Sequence, residues 1–112
     1  ATLAGRLADM IWLTPDGVRE TVRLAASAER DWELIASLRR VRHFVAGRDT
    51  ARALQLMGLA ADAILPAETH GLIAGLRKHN LVGRAVGLQA HGRRDGEALI
   101  DFLKWMRADL HA

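Results

Sequence analysis

Apolar residues recur at intervals of three and four along most of this chain, and that spacing constrains its folding more than any single motif. It is clearest from Trp32 to Val45. There Trp32, Ile35, Leu38, Val41 and Val45 share one helical stripe with Leu34 beside it, and Gly47 supplies a left-handed C-cap. Arg39, Arg40 and Arg42 lie off that stripe, near an end that favours cations. Alternation of the strand kind is absent over any useful length.

The same grammar divides the rest of the chain. A first helix is predicted over Thr2–Leu13, with Leu3, Leu7, Met10 and Ile11 inward, ending before Pro15 because a residue preceding proline avoids the helical region. A second starts with Thr14 as N-cap and Pro15 as first helical residue, and fades near Ser27. Asp49 is expected to cap a fourth helix that runs to Leu65 and stops at Pro66. A fifth spans Ala67–His79, and Asp95 caps a last one carrying Leu99, Phe102, Leu103, Met106 and Leu110. Between them, residues 81–93 have helical spacing at Val82, Val86 and Gln89. Gly83, Gly87 and Gly92 each cost roughly 1 kcal/mol in a helix, so only a short, mobile helix is expected there.

The expected fold is therefore all-α: a compact bundle of five or six short helices. It forms a single helical domain over residues 1–112, because 112 residues leave too few for two cores. An initial Ala in place of Met equally suits a fragment of a longer chain.

Several function classes fall away. With no Cys there is no disulfide frame, thiolate zinc site or cysteine nucleophile. No apolar run approaches the roughly 18 residues that span a bilayer, the longest being Met10–Leu13, and no signal peptide is visible. A cytoplasmic location is the default expectation. The five histidines (His43, His70, His79, His91, His111) show no HExxH spacing, so no metal is expected. Neither serine, Ser27 or Ser37, sits in a Gly-x-Ser-x-Gly elbow, and the glycines form no phosphate loop. No cofactor and no catalytic residue are predicted.

Arg84 and His91 are separated by six residues in a segment read as helical. This resembles the Arg-x(4–6)-His motif of helical RNases of the HEPN class, in which Arg and His handle the phosphodiester. The resemblance covers about thirty residues, and Ala85 stands where that motif usually has a polar residue.

Net charge is +3, from 16 basic and 13 acidic residues, and 14 of the basic residues are Arg. Arg39, Arg40 and Arg42, with Arg48, form one candidate nucleic-acid patch. Arg77, Lys78, Arg84, Arg93 and Arg94 form a second, which would neutralise phosphates and bind less tightly as salt rises. The first choice is different. So short a chain leaves apolar residues outside its core, and Trp12, Ile100 and Trp105 lie off the main stripes. They are the predicted partner-contact residues of a small, non-enzymatic helical regulatory or adaptor module, acting through a protein partner or as a homodimer.

Overall fold

The run Met10–Leu13 is not a helix end. Asp9–Trp12 is a strand, β1, at the centre of a five-stranded sheet. The computed structural model describes residues 7–27, 29, 31–94, 96–106 and 108–111; for 31–34 and 109–111 it describes the backbone alone. The chain continues through α1 (Pro15–Ser27), α2 (Asp31–Leu38), β2 (Arg42–Ala46), α3 (Arg48–Leu56) and β3 (Ala63–Leu65). It then forms α4 (Thr69–Arg77), β4 (Ala85–Gln89), α5 (Gly96–Trp105) and β5 (Asp109–His111). Strand order is β3-β2-β1-β4-β5, and every neighbouring pair is parallel.

The all-α bundle is thus corrected to a doubly wound α/β fold. Helices cover both faces of the sheet, so the strands are buried on both sides and read as unbroken apolar runs rather than alternating ones. Ile11, Leu13, Phe44, Ala46, Val86 and Leu88 pack with Leu72, Leu76, Leu99 and Leu103 of α4 and α5. Trp12 and Val45 pack on the other face with Val18, Ala53 and Leu54 of α1 and α3, and with Leu38. Successive residues of a strand feed two separate cores, and a period of two vanishes from the sequence.

Each misread helix has a local cause. Val41 and Val45 sit on the helical stripe only by numerical coincidence: α2 ends at Leu38 and β2 begins at Arg42. Gly47 (φ 87°) is the N-cap of α3 rather than a helix C-cap, and Asp49 lies inside the first turn without capping it. The stretch to Leu65 breaks at Gly58 (φ 93°) and resumes as β3. Gly83 and Gly92, which are costly in a helix, instead occupy positive-φ turns on either side of β4. Gly87 lets β4 lie close to β1, since a Cβ there would sit 2.6 Å from Met10 Sδ. The Thr14–Pro15 start is seen: Gly17 N donates to Thr14 Oγ1 at 2.8 Å. Residues Thr2, Leu3 and Asp95 of the predicted helices lie outside the described residues.

No helix among the described residues is long and apolar enough to cross a membrane.

Candidate functional site

In an open parallel sheet, ligands bind beyond the carboxyl ends of the strands, where the winding direction reverses. Here the reversal falls between β1 and β4. Two loops meet at that point. Thr14, after β1, donates its hydroxyl to the carbonyl of His91, after β4, at 2.7 Å. Gln89, the last residue of β4, donates to Thr21 Oγ1 at 2.9 Å and accepts from His91 N at 3.0 Å. Gly17 admits this contact, because a Cβ on it would lie 2.8 Å from Gln89 Cγ. The two halves of the fold are therefore stitched together at the floor of the crevice.

The helix starts along this edge differ. The start of α1 is capped by Thr14. The start of α4 is capped by Glu68, which accepts from Gly71 N and from His70 N. The start of α3 has Gly47 as N-cap and no side-chain cap. Its dipole and first-turn N–H groups therefore offer positive potential to an outside anion. Arg48 begins that helix and is exposed, as are His91 and Arg94 on the β4–α5 loop. Of the acidic groups at this edge, Asp16 is engaged by Arg19 at 2.6 Å and Glu68 by the α4 backbone, while Asp49 stands exposed in the first turn of α3. The edge can seat a carboxylate or phosphate.

At the opposite edge, a cluster of charges is paired internally. Asp9 is wholly buried, with its carboxylate held by Arg42 Nε at 2.5 Å and Arg84 Nε at 2.6 Å. Burial by itself pushes the Asp9 carboxyl up, but the hydrogen bonds and charges of the two guanidiniums outweigh it and hold it below its ordinary value. The triad ties β1, β2 and β4 together.

This topology divides the residues singled out in the sequence. Arg39 and Arg40 lie exposed in the turn before β2, Arg77 and Lys78 at the end of α4, and Arg42 and Arg84 on Asp9, all toward the amino ends of the strands. Of the two predicted patches, Arg48 at the start of α3 and Arg93 and Arg94 after β4 reach the carboxyl edge. The pairing of Arg84 with His91 is corrected. The segment between them is a five-residue strand, which puts them at opposite sheet edges, on the order of 16 Å apart, where a helix would have brought them together. Among the described residues, no group of three or more His, Asp or Glu is placed to hold a metal ion.

Trp12 is wholly buried in β1, and its Nε1 donates to His43 Nδ1 at 3.0 Å, so no partner can touch it. Ile100 is half-buried against the α4–α5 core. Trp105 is 67% exposed, stacked near Phe102 and beneath the Arg77 guanidinium. Trp12 and Trp105 belong to opposite faces of the sheet and form no common surface. What the sequence reading missed is Thr14 as a crevice residue, Gly47 as an open helix start, and Asp9 as a buried ion. The run of four apolar residues followed by Thr-Pro-Asp-Gly, a strand-to-helix turn, was the available signal for the first.

The geometry defines a class: a doubly wound parallel α/β domain. It is similar to solved structures of uroporphyrinogen III synthase from the extremely thermophilic bacterium Thermus thermophilus. The wild-type enzyme superposes with a TM-score of 0.77 at 24% identity, over 96% of this chain and 40% of that one. A mutant of the same enzyme, in its selenomethionine form, gives 0.79 at 23% identity over the same shares. A further Thermus thermophilus structure gives 0.76 at 22%, over 96% of this chain and 41% of that one. Identities this low show the fold alone, and the chain spans about 40% of the length of these neighbours. No family model matches the chain, and no curated protein does. The parallel sheet, in the fold of these neighbours, corrects the expectation of a helical adaptor module.

Proposed function

We propose that this chain is one lobe of a uroporphyrinogen III synthase-type enzyme, with the carboxyl edge of its sheet as one wall of the substrate site. The observation that carries the reading is the superposition of nearly the whole chain on part of a longer enzyme. The edge chemistry supports it. A uroporphyrinogen bears carboxylate side chains, and the uncapped start of α3 beside Arg48 is built to receive such a group. His91 and Arg94 are exposed on the β4–α5 loop at the same edge, and Thr14 holds that loop in place. In this reading these residues bind and orient a polyanion, and a second lobe completes the site.

The test is equilibrium dialysis of the chain against uroporphyrinogen III under anaerobic conditions. Saturable binding is expected, about tenfold weaker in Arg48→Glu, where an attractive charge becomes a repulsive one. Absence of binding, or binding that Arg48→Glu leaves untouched, overturns the assignment of this edge.

A further inference from the structure

We propose that His43 and Trp12 form an acid-sensitive latch that holds the carboxyl end of β1 against the α2–β2 corner, so that protonation of His43 loosens the Thr14 loop. Independently of the tetrapyrrole reading, the proposal rests on hydrogen-bond polarity. Trp12 pairs with Val45 in the sheet register, and His43 lies two residues earlier on the same face, a diagonal neighbour across the strands. An indole nitrogen only donates, so at 3.0 Å from Trp12 Nε1 the His43 Nδ1 must accept. The other ring nitrogen, Nε2, lies 2.7 Å from the carbonyl of Leu38 and must donate. Only the neutral Nε2–H imidazole satisfies both contacts.

A proton added at Nδ1 would set two N–H donors against each other with no acceptor between them. Trp12 Nε1 gains no solvent in exchange, since the residue is fully buried in the α1–α3 core. The ring must then leave its partner or refuse the proton. Burial pushes the His43 imidazole below its ordinary value of 6.5, against opposing contributions from the Leu38 carbonyl and the Asp62 charge.

Among the described residues, few charged groups surround the ring. Asp62, before β3, accepts from His43 N at 2.6 Å. Asp62 and Arg39 both line a surface recess of about 340 Å³ with His43 at its wall, which gives water and protons a route to the ring. The Asp9–Arg42–Arg84 triad lies on the other face, where Arg42 covers the Phe44 ring. The latch acts on the loop because Trp12 is the last residue of β1 and Thr14 follows two residues later.

The imidazole ¹⁵N shifts of His43, followed from pH 8 to pH 4.5, test the latch. The ring is expected to remain the neutral Nε2–H tautomer below pH 6.5. Trp12→Phe, which removes the indole N–H and frees Nδ1, is expected to move its titration upward. In the wild-type protein the folding equilibrium constant should fall by up to about tenfold per pH unit below 6.5, with faster amide exchange at Leu13 and Thr14. His43→Asn keeps an acceptor for Trp12 without titrating and should lose this acid response. Should His43→Asn fail to fold, the ring titrations of wild-type and Trp12→Phe protein decide alone. Titration of His43 at or above 6.5 in the wild type, or no upward move in Trp12→Phe, overturns the latch.

Discussion

The two ends of the sheet are built on opposite principles. At the amino end, two guanidiniums converge on one buried carboxylate, and the three strands they join are tied together. At the carboxyl end, the backbone turns through Thr14, Gly47, Glu68 and Gly92, the start of α3 has no side-chain cap, and Arg48, His91 and Arg94 face solvent. Charge that is satisfied internally contributes to folding, whereas charge that is left facing a crevice is available to a ligand. The basic excess of this chain is therefore not one patch. Its members divide between a structural edge and a candidate binding edge.

The largest effect that would break this contrast belongs to Asp9. Asp9→Ala leaves Arg42 and Arg84 without their counter-ion. A loss of about 3 kcal/mol is expected, at the low end for a broken buried pair because both guanidiniums keep over a third of their surface exposed. Urea unfolding measures it, and a change under about 1 kcal/mol, the range of an ordinary surface ion pair, would show that the amino edge does not anchor the sheet.

Acid sharpens the same point. The Asp9 carboxyl is held below its ordinary value of 3.8, so its contribution is complete above that value and disappears as pH falls through the lower folded value. The unfolding midpoint of the wild type should therefore drop further below about pH 4 than that of Asp9→Asn, as thermal melts between about pH 2 and 4 would show.

Thr14→Ala removes both the N-cap of α1 and the tie to His91, for an expected cost of about 1 kcal/mol. It should also weaken anion binding at the carboxyl edge, by freeing the β4–α5 loop. A calorimetric melt checks the first effect and the dialysis assay the second. The smallest effect on folding is expected for Arg48→Ala and Arg94→Ala. Each should change stability by less than about 0.5 kcal/mol while lowering affinity for a carboxylate ligand. If either variant unfolds the protein instead, the division between the two edges fails.

Part of this architecture was legible in advance. Thr14 followed by Pro15 marks a helix start in any context, since it depends on two adjacent residues and on an N–H that needs no partner. The inward faces of α4 and α5, with Leu72, Leu76, Leu99 and Leu103, follow from spacing alone. The candidate site was nearly illegible. Thr14 and His91 are 77 residues apart and meet only because β1 and β4 are neighbours. Nothing beside Asp9 in the sequence marks it as buried, and the arginines that neutralise it lie 33 and 75 residues away.

By itself the sequence determined which segments carry grease, where several helices begin, and that thiol chemistry is absent. These properties reside in single residues or in neighbours within one turn. Only the tertiary structure decided that Asp9–Trp12, Arg42–Ala46 and Ala85–Gln89 extend as strands. Their residues have no strong local preference, and a parallel strand acquires its hydrogen bonds from distant chain and its two apolar faces from helices on either side.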